Sequence, residues 1–199
     1  MITIEKKAII SGVDDVLFPK KDYLLQVYYL FANLLEYTEM VPPAGELTKF
    51  LKSAYLHHGE AGLFERAADT FGIDVKYRKQ FGRLHLDARL PLKLAFHKPM
   101  KELLQKAHAD GKKICILAAG NPAMQLNKLR HIEWEGLDRV VKVYFTEELI
   151  RQQRDPISYL LAENGLNTLD TVYIHATGEN LDAMPADLDC IDVERVLTT

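Results

Sequence analysis

The chain has 199 residues, of which 48% are apolar and 27% charged, with a net charge of −3. This composition fits a soluble globule of one domain, or one core with an insertion, and excludes collagen-like, low-complexity and disordered chains. The acidic balance argues against nucleic acid as a partner, and no apolar run is long enough to predict a membrane span.

In chain order, the run Lys7-Ala8-Ile9-Ile10 is apolar and β-prone and stops at Ser11-Gly12. It predicts a buried strand ending in a polar turn. Four more runs read the same way: Lys113 to Ala119, Val140 to Phe145, Thr171 to His175 and, more weakly, Asp189 to Val193. Strands apolar on both faces belong to parallel sheets covered by helices. Helical patterns separate them. One opens at Pro99-Met100 and closes at Asp110-Gly111; one runs from Pro122 to His131 with Met124, Leu126 and Leu129 as its apolar face; one runs from Pro156 to Glu163 and closes at Asn164-Gly165. The alternation predicts an α/β fold with a Rossmann-like parallel sheet.

The segment from Phe18 to Phe96 breaks this rhythm with helix patterns only. Leu24, Val27, Tyr28, Phe31, Leu34 and Leu35 mark the first, which ends at Pro42-Pro43. Glu46 to Tyr55, Gly62 to Phe71 and Ile73 to Phe81 predict three more, punctuated by Gly59, Gly72 and Gly82. Most of the chain's aromatic residues lie here, Tyr23, Tyr28, Tyr29, Phe31 and Tyr37 among them, and their helical spacing reads mostly as core, with a few expected to line the cleft between the inserted domain and the α/β core. The expected organisation is an α/β core from residues 1–17 and 97–199 with an inserted all-helical domain at 18–96. Cys115 and Cys190 sit in apolar runs and read as small buried hydrophobes, as expected of a reduced, cytoplasmic protein.

In an open α/β sheet, ligands bind beyond the carboxyl ends of the strands. An insertion after the first strand is expected over that crevice. The stretches to interrogate are therefore Ser11 to Val16, Ala118 to Asn121, Gln153 to Pro156 and His175 to Asp182.

Ala8-Ile9-Ile10-Ser11-Gly12-Val13-Asp14-Asp15-Val16-Leu17 resembles the first motif of the haloacid dehalogenase (HAD) superfamily, a strand followed by D-x-D-x-[TV]. Gly120-Asn121-Pro122 and Asp155-Pro156 resemble the flanks of later motifs, in the same order. The resemblance spans the whole chain and implies a HAD core with a helical cap. It also implies which positions carry chemistry, and most are altered here. The nucleophile and Mg²⁺ ligand falls on Gly12. The acid/base Asp falls on Asp14 and is retained. The phosphoryl-binding Ser or Thr falls on Ala118 and the cationic Lys on Gln153. The strand-end Asp of the metal site falls on Ala176, and a later acidic position on Leu181, with Asp182 one residue off.

Covalent phosphoryl transfer needs an attacking carboxylate and charges that neutralise the phosphoryl oxygens. With Gly12, Gln153 and Ala176 at these positions, the expectation is a HAD-like protein that has lost phosphatase or dehalogenase activity and acts by binding a small anionic ligand or a protein partner. No cofactor is expected. The alternative is an active hydrolase of small phosphomonoesters, using Asp14 by a relocated mechanism with Mg²⁺ held by Asp155 or Asp182. Asp14 fits either an acid/base or a turn-capping role. Asp15 and Asp155 read as loop or helix caps. Ser11 is a conceivable substitute nucleophile, but it lies one position before Gly12, and alternate strand residues face opposite ways. His175 lies over the expected crevice, either as an anion contact or as a structural histidine. Ser11, Asp15, Ala119, Gly120, Asn121, Asp155, His175, Thr177 and Asp182 line the candidate cleft. His57-His58 lacks metal-ligand spacing, and Lys76, Arg78, Lys79, Arg83 and Arg89 read as a solvated helix face.

Overall fold

The computed structural model describes residues 6–198. Five strands, β1 (Ala8–Ser11), β2 (Lys113–Ala118), β3 (Val141–Phe145), β4 (Thr171–His175) and β5 (Asp189–Asp192), form one parallel sheet in the order β3-β2-β1-β4-β5. The apolar runs dictate this: β1 and β4 are buried along their whole length, and the edge strands β3 and β5 less so. In the register, Ile10 lies between Cys115 and Tyr173. These three residues share one face and pack into a core with Leu117, Tyr144, Ile157 and Leu160.

Nine α-helices occur among the described residues: α1 (Lys20–Glu39), α2 (Ala44–His58), α3 (Leu63–Phe71), α4 (Arg78–Asp87), α5 (Lys98–Ala109), α6 (Pro122–His131), α7 (Thr146–Arg151), α8 (Pro156–Asn164) and α9 (Glu194–Leu197). No helix of the described residues is long and apolar enough to cross a membrane.

The chain divides into two compact units, residues 1–20 with 94–199 and residues 21–93. Phe18 and Leu94 belong with the α/β unit because backbone bonds tie them there: Phe18 bridges Asp14, Leu94 bridges Ile132, and the His97 amide donates to the Leu17 carbonyl at 2.8 Å.

The helical unit is held by an aromatic cluster. Tyr28 stacks on Phe81 at 6.1 Å, and Phe31 and Phe64 meet Phe81 at 4.9 and 5.7 Å. Two expectations fail here. Tyr29 and Tyr37 are exposed, 49% and 86%, because they stand off the stripe of Tyr23, Leu24, Val27, Tyr28, Phe31 and Leu35 that α1 buries. The helix predicted over Ile73–Phe81 instead starts at Arg78 and runs on through Gly82, because Asp74 accepts from the Lys76 amide at 2.8 Å and sets a short 3₁₀ turn first. Three members of the basic run are ion-paired, Lys76 with Glu39, Arg78 with Glu65 and Arg83 with Asp87.

Candidate functional site

The strand order reverses between β1 and β4, so in an open sheet the carboxyl ends of these two strands mark the crevice. Gly12 follows β1 there, and its amide donates to the Ile174 carbonyl at 3.0 Å. A Cβ at Gly12 would lie 3.1 Å from Val16 Cγ2, 3.7 Å from the Ile174 oxygen and 3.8 Å from Tyr173 Oη. A Cβ there would be tight only against the Val16 methyl, with the Ile174 carbonyl and the Tyr173 phenol at ordinary contact distance. Tyr173 is buried, and its hydroxyl donates to Glu179 Oε1 at 2.5 Å, while Glu179 Oε2 accepts from the Ala176 amide at 3.3 Å. Burial, reinforced by the hydrogen bond and charge of Glu179, pushes the Tyr173 phenol far above its ordinary value.

Asp14, the position expected to keep the acid/base carboxylate, is held on both of its oxygens. Lys128 Nζ lies 2.8 Å from Oδ1 and 2.7 Å from Oδ2. Gln125 Nε2 donates to Oδ2 at 3.0 Å and to the Ala119 carbonyl at 2.7 Å. The Lys128 side chain has no exposed surface, whereas that of Asp14 is 24% exposed. Gln125 and Lys128 stand three residues apart on α6 and so share one face. That face is polar: α6 buries Gln125, Asn127, Lys128 and Leu129, while Leu126 is exposed. Of the apolar face expected from Met124, Leu126 and Leu129, Leu129 is buried and Leu126 is exposed, because the inward side of α6 also meets a carboxylate.

The remaining predicted residues are accounted for by local structure. Ser11 is fully buried and its Oγ donates to the Gly12 carbonyl. Asp15 has φ of 59° and accepts from the Lys20 amide at the start of α1. Ala118 ends β2, Gly120 turns with φ of 92°, and Asn121 caps α6 by accepting from the Ala123 and Met124 amides. Gln153 sits exposed at φ of 57° just past α7, its amide donating to the Ile150 carbonyl. Asp155 caps α8 through the Ser158 amide at 2.8 Å. His175 is buried, with Nδ1 bonded to the Ala176 carbonyl at 3.0 Å. Thr177 turns to β5, donating to Asp192 at 2.7 Å, and Asp182 is exposed in a turn with Asn180. The Glu194 amide, and then Thr177, hold the Asp192 carboxyl below its ordinary value.

Lys128, Gln125, Tyr173 and Glu179 were not singled out from the sequence. A lysine within a helical pattern reads as solvent-facing by default. Tyr173 reads as one strand residue among others. Glu179 lies in the stretch chosen for scrutiny, but nothing in the sequence ties it to Tyr173.

No family model matches the sequence, and no curated protein matches it. Among solved structures the chain is similar to a hydrolase from Streptococcus pneumoniae TIGR4, at 14% identity and TM-score 0.52 over 94% of this chain and 92% of that one. It is also similar to the HAD-hydrolase YfnB from Bacillus subtilis bound to magnesium, at 14% identity and TM-score 0.55 over 93% of this chain and 85% of that one. A HAD family hydrolase from Deinococcus radiodurans R1, with bound phosphate and sodium, aligns at 13% identity and TM-score 0.51 over 89% of this chain and 76% of that one. The chain has the haloacid dehalogenase-like hydrolase fold.

The Mg²⁺ that the resemblance implies needs hard oxygen ligands in near-octahedral geometry. Gly12, Ala176 and Leu181 offer no side-chain oxygen, and both oxygens of Asp14 face an ammonium. No group of three or more His, Cys, Asp or Glu side chains among the described residues is placed to hold a metal ion. The residues present do not fit that ion.

Proposed function

We propose that this protein keeps the HAD-like hydrolase fold without its phosphoryl transfer, and acts by binding. The observation that carries this reading is the bare backbone at Gly12, where the position of an absent Cβ is bordered by Val16 Cγ2, the Ile174 carbonyl and Tyr173 Oη. Nucleophilic catalysis requires an attacking atom at that place. Asp14, the residue left to act alone, has both oxygens bonded within the protein. A small anion gains little here, because the ammonium beside Asp14 has no surface to offer it.

A protein partner fits better, and the helical unit supplies a surface. A cavity of about 160 Å³ is lined by Leu35, Pro42, Phe71 and Ile73 together with the charged Glu39, Asp74 and Lys76. Val41 and Tyr77 also line it, and Val41 is 66% exposed, with Met40 and Val75 beside it in sequence exposed as well. Exposed apolar side chains gathered at a cavity are a recurrent feature of docking surfaces.

The test is turnover of p-nitrophenyl phosphate and acetyl phosphate by the purified chain with Mg²⁺. The expected rate is that of the blank, unchanged in Asp14→Asn. Turnover above blank that Asp14→Asn abolishes would establish the alternative, an active hydrolase working through Asp14.

A further inference from the structure

We infer that Lys128 is a resident cation at the end of β1, standing where the fold's relatives are expected to place a divalent metal, so that the site is complete without Mg²⁺ and does not take it up. Three observations carry this. The ammonium contacts both oxygens of Asp14, at 2.8 and 2.7 Å, as a bound cation does. It is delivered with no exposed surface from a helix that also buries Gln125 and Asn127, so its position is built into the fold. Gln125 is turned to give its amide to Asp14 and Ala119, and its Oε1 is left buried without a hydrogen bond.

That last arrangement is informative. An unmade bond to a buried carbonyl oxygen is costly. The amide nevertheless faces Asp14, so the carboxylate decides how the side chain is oriented.

Electrostatics give the consequence. Burying an ammonium costs several kcal/mol and is offset only by a well-placed anion with further hydrogen bonds. Asp14 and Gln125 provide that arrangement. A Mg²⁺ ion would have to take an Asp14 oxygen at about 2.1 Å. It would then face the ammonium across the same carboxylate, with Gly12 and Ala176 contributing no compensating charge. The fixed cation prevails because it is tethered and already desolvated.

This inference is separate from the functional proposal, since a metal-free site is compatible with turnover or with its absence. Its test reads metal and stability, not activity. The purified full chain is titrated with Mn²⁺, and free ion is followed by electron paramagnetic resonance. The expected result is no uptake beyond that of Asp14→Asn; stoichiometric uptake that Asp14→Asn removes would overturn the inference. In parallel, urea midpoints are measured for Asp14→Asn, Lys128→Met and the double variant. Each single change is expected to lower the midpoint, and the double to fall by clearly less than the sum. Additive losses would show that Lys128 is not the counter-ion of Asp14. Should Lys128→Met fail to fold, the Mn²⁺ titration of the unaltered chain still decides the metal question, and Lys128→Arg, which keeps the charge, is expected to retain most of the midpoint. Loss by Lys128→Arg as large as by Asp14→Asn would also count against the inference.

Discussion

Helices α6 and α8 start in the same way. Each has an Asn or Asp at the N-cap, Asn121 and Asp155, and a proline at the next position, Pro122 and Pro156. The cap oxygen accepts backbone amides that the helix cannot satisfy itself, and proline supplies a fixed φ where no amide is needed. From there the two diverge. Helix α8 buries Ile157, Leu160 and Leu161 in the core shared with Ile10, Cys115 and Tyr173. Helix α6 buries Gln125, Asn127 and Lys128 and exposes Leu126. Capping thus fixes where a helix begins, while the inward face is decided by what it meets: an apolar sheet surface in one case, the carboxylate of Asp14 in the other.

The largest expected effect breaks the polar side of this contrast. Asp14→Ala deprives a fully buried ammonium of its carboxylate, which costs about 3–5 kcal/mol of stability for such pairs, measured by urea unfolding. Lys128→Met is expected to cost less, because Asp14 is a quarter exposed and water can solvate it. A loss under about 1 kcal/mol for Asp14→Ala would show that charge does not hold the face of α6. On the apolar side, Leu160 is fully buried, and Leu160→Ala is expected to cost about 3 kcal/mol. Leu126→Ala sharpens the comparison, since that leucine is 38% exposed and its loss is expected to stay within about 0.5 kcal/mol.

These helices also show what can be read from the chain alone. The strands, the caps at Asn121 and Asp155, and the glycine stops at Gly59 and Gly72 are legible because backbone requirements select those residue types locally. The inward face of α6 is not legible. Leu126 and Leu129 look alike in the sequence, and a buried lysine is recognisable only once Asp14, more than a hundred residues earlier, is brought to it by the fold. The exposure of Tyr29 and Tyr37 fails for a related reason: aromatic type suggests burial, while position on the α1 stripe decides it. The site is partly legible. The absence of a side chain at Gly12 is visible in the sequence, but the Val16 methyl and Tyr173 phenol bordering that position are not.

That border makes Gly12→Asp informative. Its Cβ would meet Val16 Cγ2 at 3.1 Å, tighter than ordinary packing, with Tyr173 Oη and the Ile174 carbonyl close behind. Overpacking of this kind costs about 1–3 kcal/mol. The expected outcome is a lowered melting temperature and no phosphatase activity, read with p-nitrophenyl phosphate. A stable variant with Mg²⁺-dependent turnover would mean that one substitution restores the site.

The core beside α8 also has a pH signature. Burial pushes the Cys115 thiol up from 9.0 to about 11, partly offset by the nearby charges of Lys142 and Lys113. The folded chain therefore holds its proton where the unfolded chain has released it. The contribution is fully present below pH 9.0 and is lost as pH rises toward about 11, amounting to about 3 kcal/mol at roughly 1.4 kcal/mol per unit. Cys115→Val removes this part of the alkaline loss. If the stability of both forms falls equally between these pH values, the thiol is not as dry as the packing indicates.

The smallest effects test whether the two helix starts are equivalent. Asn121→Ala and Asp155→Ala should each cost about 1 kcal/mol, the usual value for an N-cap side chain. Asn121 accepts two amides, at 2.9 and 3.3 Å, and Asp155 accepts the Ser158 amide at 2.8 Å while adding a negative charge at the positive end of α8. The extra bond and the extra charge are of similar size, so the two losses should agree within about 0.5 kcal/mol. Asp155→Asn isolates the charge, removing it while keeping the acceptor, and should cost only a few tenths of a kcal/mol at low salt and less as salt screens it. A much larger loss at Asn121 would mean that this cap also holds Gln125 and Lys128 against Asp14. The start of α6 would then be part of the charged site, and the two helices would differ from their first residue.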